Sequence, residues 1–253
     1  MTAISVVIIT YNEALNIARC LDAVKDIADE IVVVDSFSTD ETAEICKRYT
    51  LKFLQHPFKG HVEQKNYALQ QTKFPHVLSV DADEVLSEEL QNSIKQIKNN
   101  WEYDGYYINR LTNYCGRWIK HAGWYPDRKL RLFDKRKGKW AGNNPHDRFE
   151  ITDKANTKKI RGNLLHYSYP TIDSHLQQTI KFAGISAQVK YKQGKKSGLF
   201  KIFFNPGWKF FRQYFLKGGF LDGYYGFVLC CISAFGNYVK YVKLRELYQS
   251  KTK

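Results

Sequence analysis

Hydrophobic positions along the chain change rhythm near residue 100. Before that point, short runs of consecutive β-branched apolar residues alternate with segments of helical spacing. Residues 4–9 form such a run, as expected of a strand buried on both faces. Residues 14–25 follow with Leu15, Ala18, Leu21 and Val24 on one helical face. Residues 31–34 repeat the strand pattern, and residues 39–49 the helix, with Asp40 and Glu41 in its first turn. A short third strand at 53–54, a helix over 60–72, a fourth strand at 77–80 and a helix over 87–99 capped by Ser87 complete the series. Strands and helices in this alternation predict βαβ units, and hence an α/β, Rossmann-like, mainly parallel sheet.

After residue 100 the pattern loosens. Residues 106–114 and 129–133 alternate in part and read as strands, and from Ser174 onward the chain reads as amphipathic helix. Residues 191–199 read as a flexible linker. The expected organisation is a catalytic domain over residues 1–170 and a helical C-terminal region over 171–253. The most apolar stretch of that region, residues 227–235, is short of the roughly 20 residues that span a bilayer. Around it, Trp208, Phe210, Phe211, Tyr214, Phe215 and Phe220 interleave with Lys209, Arg212 and Lys217. Aromatic and basic residues in this arrangement suit a helix lying in a membrane interface, or one packing its aromatics on a core.

Charge sharpens this picture. The net charge of +14 favours an anionic partner, and most of the excess lies beyond residue 100. Five cysteines, with no paired spacing and no signal-peptide pattern, are expected as reduced thiols in a cytoplasmic protein.

The candidate chemistry gathers where the strands end. The first strand leads into Thr10, Tyr11, Asn12 and Glu13, the second into Asp35, Ser36, Phe37, Ser38, Thr39 and Asp40, and the fourth into Asp81, Ala82 and Asp83. Open α/β sheets bind ligands outside the carboxyl ends of their strands. Carboxylates one residue apart, as in Asp81 and Asp83, suit a hard divalent ion that bridges a nucleotide diphosphate. Ser38 and Asp40 also have a structural reading as caps of the next helix.

Three segments, VVIITYNE at 6–13, VVDSFSTDE at 33–41 and the Asp81–Asp83 pair, resemble the signatures of family 2 inverting glycosyltransferases with the GT-A fold. Residues 129–133, 144–150 and 218–226 resemble more narrowly the branch that adds glucose to the lipopolysaccharide inner core. The resemblance implies a UDP-sugar donor, with Asp35 at the uracil and Thr10, Tyr11, Glu13 and Ser38 around the nucleoside. It implies Asp83 as ligand of Mg²⁺ or Mn²⁺, Asp81 at the ribose or beside the metal, and His166, expected at another strand end, as the late histidine that joins the metal or diphosphate; a histidine satisfied by hydrogen bonds at the core edge is the alternative. Lys65 would face the nucleotide, or be a solvated surface lysine. The general base that an inverting transfer needs maps to Asp147, one carbon shorter than the Glu often found there, with Glu150 as its rival. Arg128 and Arg131 would pair a phosphate on acceptor or donor, or be exposed strand charges, the usual explanation of such a pattern.

The expected activity is transfer of a hexose, glucose on this resemblance, to an anionic lipid-linked saccharide in the heptose region of the inner core. The enzyme would be attached peripherally to the cytoplasmic face of the inner membrane. A sugar-phosphate nucleotidyltransferase should carry a Gly-rich loop after the first strand, yet the chain has no Gly before residue 60. A non-enzymatic basic module for membranes or nucleic acid would leave the strand-end acids idle, so nucleic acid is not an expected partner.

Overall fold

The structure, a computed structural model, describes residues 1–50, 52–143 and 146–250. The chain divides into two units, Met1–Leu111 with Asp127–Tyr167, and Thr112–Pro126 with Ser168–Lys253.

In the first unit the elements begin β1 (Ile4–Thr10), α1 (Ile17–Val24), β2 (Glu30–Asp35), α2 (Thr42–Lys47), β3 (Lys52–Gln55), α3 (His61–Gln70) and β4 (His76–Asp81). β1 pairs in parallel with β2 and β4, and β2 with β3. Val6 and Ile8 of β1 enter one apolar cluster and Val7 enters another, so both faces of the strand are covered. That is why the strand reads as an unbroken apolar run. β5 (Glu84–Leu86) and α4 (Glu88–Asn99) follow, with the Ser87 hydroxyl accepting from the Leu90 amide as the expected cap.

The antiparallel half is built from β6 (Gly105–Tyr114), β7 (Arg117–Ile119), β8 (Asp127–Asp134), β9 (Gly138–Asn143), β10 (His146–Ile151) and β11 (Thr157–Tyr169). The sheet runs β3-β2-β1-β4-β8-β6-β11-β5, with β7 on β6, while β9 and β10 form a separate hairpin. Within β11, Gly162 has φ +89° and crosses the first turn of α4, where a Cβ would lie 2.3 Å from the Leu90 amide nitrogen. The side chain of Asn66 ties the hairpin to α3. Asn66 donates to the Trp140 carbonyl at 2.8 Å and accepts from the Trp140 amide at 3.0 Å.

The second unit carries α5 (Ile172–Lys192), α6 (Leu199–Phe211) and α7 (Gly223–Gln249), with a π turn Arg212–Leu216 and a 3-10 turn Gly219–Asp222 between the last two. Its core joins Tyr114, Ile119 and Ala122 to Leu229 and Cys230. His175 is buried there, its Nδ1 3.0 Å from the Tyr114 hydroxyl. Residues 227–235 are one part of the continuous α7, which by length and composition is sufficient to cross a membrane. The apolar run alone understated the helix because α7 continues through Val239, Val242 and Leu244.

Candidate active site

Strand register places the polar ends level. Thr10 lies opposite Asp35, Ile9 opposite Asp81, and Asp35 opposite Gln55. The loops after β1 and β2 are sewn together by short polar side chains. The Asn12 amide donates to Ser38 Oγ, the Thr39 amide to Asn12 Oδ1, the Ala14 amide to Asp40 and the Glu13 amide to Thr42 Oγ1. Asn12 and Phe37 hold φ of +53° and +62° to make these turns. Ser38 and Asp40 therefore cross-link two loops, and Asp40 Oδ1 also accepts from the Thr42 amide at 3.0 Å, a capping bond at the start of α2.

Asp35 is fully buried and accepts from the Ser38 amide, the Ser38 hydroxyl and Gln55 Nε2. Thr10 Oγ1 is buried and has no hydrogen-bond partner among the described residues. Tyr11 and Phe37 are exposed beside these groups.

Asp81 is held between two cations. Its Oδ1 lies 2.9 Å from Lys65 Nζ and its Oδ2 2.6 Å from Arg131, which also reaches Glu84 at 3.0 Å. Burial alone would push the Asp81 carboxyl up, but Arg131 and Lys65 outweigh it and hold it well below the usual carboxylate range. Arg131, expected at a phosphate or as an exposed strand charge, is 3% exposed and spans two acids. Lys65 is equally buried, and α3 aims its ammonium at both Asp81 and Asp147, the latter at 2.8 Å. The solvated reading of Lys65 is thereby corrected. The Trp140 ring lies against the same ammonium, 4.6 Å from its centroid.

Asp147 and Glu150 part company through strand alternation. On β10, Asp147 shares a face with buried Phe149 and Ile151, while Glu150 is exposed and paired with Arg148 at 2.6 Å. Asn144 and Pro145 of the same motif lie outside the described residues.

Asp83 meets His166. The carboxylate Oδ2 stands 3.1 Å from His166 Nε2, and the Asp83 carbonyl accepts from the Tyr167 amide at 2.9 Å. His166 sits within β11, opposite Glu84 of β5, instead of at a strand end. Its Nδ1 is buried without a hydrogen-bond partner among the described residues. Glu13 completes this corner. Burial, against a 2.6 Å bond from Asn16, and the nearby charge of Asp83 push its carboxyl up to about 6.

An oxygen ligand and an imidazole nitrogen in contact, with acidic groups around them, fit a divalent ion that completes its shell with phosphate oxygens and water. Among the described residues no group of three or more His, Cys, Asp or Glu is placed to hold a metal ion by itself.

The structure thus brings together Thr10, Tyr11, Asp35 and Ser38 at one end, Asp83, His166 and Glu13 at another, and Lys65, Asp81 and Asp147 in an ion-paired cluster. Sequence reading missed Glu84 and Trp140 as parts of the site, and left Arg131 between a phosphate partner and an exposed charge. Arg131 carried one signal, as a charge inside an otherwise apolar strand, Leu130 to Phe133.

A model of the family described as glycosyl transferase family 2 matches residues 5–153. Glycosyltransferase RT0209 of Rickettsia typhi is 34% identical over 98% of this chain and 88% of its own length. The lipopolysaccharide core biosynthesis glycosyltransferase LpsC of Rhizobium meliloti is 28% identical over 99% of this chain and 94% of its own. Among solved structures, the mannosyltransferase PcManGT of Pyrobaculum calidifontis, in complex with GDP-Man and Mn²⁺, is 16% identical with a TM-score of 0.55. That alignment covers 95% of this chain and 86% of the other, and it shows the same GT-A fold. With its signatures on the strand ends of that fold, the chain belongs to glycosyltransferase family 2.

Proposed function

We propose that this glycosyltransferase moves a hexose, glucose by resemblance, from a UDP-sugar to a lipid-linked saccharide, with inversion at the anomeric carbon. The observation that carries the reading is the meeting of Asp83 and His166 beside strand ends that also present Thr10 and Asp35. The acceptor class, the heptose region of a lipopolysaccharide inner core, draws on the likeness to LpsC, which is named for lipopolysaccharide core biosynthesis.

In this reading Asp83 and His166 hold Mg²⁺ or Mn²⁺. When bound, the ion neutralises charge that develops on the departing diphosphate. Thr10, Tyr11 and Ser38 line the nucleoside, and Asp35, held rigid by Ser38 and Gln55, offers its carboxylate edge to the base. Asp81 acts at the ribose side and, through its ion pair, positions Lys65. Lys65 neutralises the site near the diphosphate and holds the Asp147 carboxylate in place at 2.8 Å. Asp147 takes the proton of the acceptor hydroxyl as that oxygen bonds to the anomeric carbon and UDP departs.

Residues 1–170 do this chemistry. Residues 171–253 attach the enzyme peripherally to the cytoplasmic face of the inner membrane, where an anionic acceptor meets a strongly basic chain. A donor screen tests the proposal. UDP-hexoses are assayed for hydrolysis and transfer with Mg²⁺ or Mn²⁺, with and without inner-core lipid. Turnover of UDP-glucose that rises with the lipid is expected. Failure of every UDP-sugar, with GDP-mannose turned over instead, would sink it.

A further inference from the structure

An amphipathic helix of a soluble unit turns its apolar face inward; α6 does the reverse. Phe200 and Phe203 are 72% and 71% exposed, and Phe204, Trp208, Phe211 and Phe215 are exposed with them. Of the thirteen residues of α6 itself only Ile202 is buried. Beside this outward face an open groove of about 430 Å³ runs between α6 and α7, lined by Ile202, Phe203, Pro206 and Phe210 on one side and Phe235 and Tyr238 on the other. The groove wall includes Gly207, which has open space where a Cβ would project. Exposed apolar surface on this scale marks a binding surface.

Charge names the occupant. From residue 174 to residue 221 the chain carries nine Lys and Arg and no Asp or Glu. Lys195, Lys196, Lys201, Arg212 and Lys217 are exposed around the aromatic face. Aromatic rings bordered by unopposed cations match an anionic lipid headgroup layer above acyl chains.

The arrangement also separates lying in the interface from crossing the bilayer. α7 has the length to cross, yet it is clamped to α5, where Lys243 reaches the Ile180 carbonyl and Gly236 packs on Thr179. α5 bears Lys181, Lys190 and Lys192, and the last turns of α7 bear Lys240, Lys243 and Arg245. Threading α7 through hydrocarbon would take these cations with it.

We propose that α6 and the π turn after it form an in-plane anchor, with the α6–α7 groove admitting an acyl chain of an anionic phospholipid. This deepens the peripheral attachment proposed above by assigning its segment, lipid class and depth. It is tested without donor or acceptor, so its failure is distinct from failure of the transfer reaction.

The full chain is floated with vesicles of phosphatidylcholine alone and of phosphatidylcholine with phosphatidylglycerol. Binding to the anionic vesicles only, weakened by salt, is expected. Phe200→Ser with Phe203→Ser, both on exposed positions, should weaken it about tenfold or more with an unchanged melting curve. Lys195→Gln, Lys196→Gln and Lys201→Gln together should weaken binding and flatten its salt dependence. Gly207→Trp puts a fluorophore in the groove, and its added emission should be quenched by brominated acyl chains. Equal flotation of parent and double variant, no added quenching, or a solution dimer that hides α6 and ignores vesicles would each overturn the anchor. A C-terminal tag should stay fully open to protease added outside the vesicles; protection of the tag would mean that α7 spans.

Discussion

The two units use charge in opposite ways. In the first, Glu84, Arg131 and Lys65 are buried and, with partly buried Asp81, paired, and apolar residues fill both faces of the sheet. In the second, cations stand exposed around aromatic side chains that face outward. Buried ion pairs are poor stabilisers because desolvation offsets their attraction. What they provide in the first unit is fixed position, with Lys65 held between Asp81 and Asp147. Exposed cations fix nothing in place, and their value lies in long-range attraction to an anionic surface. Precision and adhesion are thus assigned to different parts of one chain.

Substitutions can break that contrast, beginning with the strongest. Asp83→Ala should lower kcat/KM for sugar transfer by about 10³-fold or more and remove the stabilisation by UDP with Mn²⁺ in a thermal melt. Normal transfer by this variant would remove Asp83 from the metal site. Asp147→Asn should cost roughly 10² to 10⁴ in kcat with donor binding retained, whereas Glu150→Gln stays within a few-fold; the reverse ranking would hand the base to Glu150.

Arg131→Met leaves buried Glu84 and partly buried Asp81 without their shared cation and should destabilise the protein by about 3–5 kcal/mol, read by urea unfolding. The exposed Arg148–Glu150 pair provides the contrast, because Arg148→Met should cost no more than about 1 kcal/mol. Comparable losses would show that burial does not set the difference.

The smallest effect belongs to the second unit. His175, boxed in by Tyr114, Trp124 and Tyr169, is pushed by burial and by Lys209 from an ordinary 6.5 to about 4. The unfolded chain therefore takes a proton that the folded one refuses. Stability should be complete above pH 6.5 and fall as the pH drops toward 4. His175→Gln should flatten that part of the pH profile of melting.

Legibility in the sequence followed the same division of forces. β1, β2 and β4 were readable because strands covered on both faces become unbroken apolar runs. β5, with three residues, is too short to show a period, and β9 mixes Gly138, Lys139, Trp140 and Gly142 without alternation. In α7 the apolar run is legible, but its extension is set by packing on α5 and α6. That Asp83 and His166 belong near one another was implied by the family resemblance, while their contact came from the fold. The Lys65–Asp81–Arg131 cluster was not legible, because its members come from α3, β4 and β8 and nothing local marks Lys65 as a buried cation. The tie between Lys65 and Asp147 was hidden for the same reason.

Asn66 has a mechanical consequence. Its side-chain amide satisfies both backbone groups of Trp140, as a neighbouring strand would, so the clasp between α3 and the β9–β10 hairpin has strand-like geometry without a strand. Lys65 lies next to that clasp on the helix, and Asp147 lies on the hairpin. The spacing of that ammonium and that carboxylate is thus set by two ties side by side, one through backbone groups and one through charge.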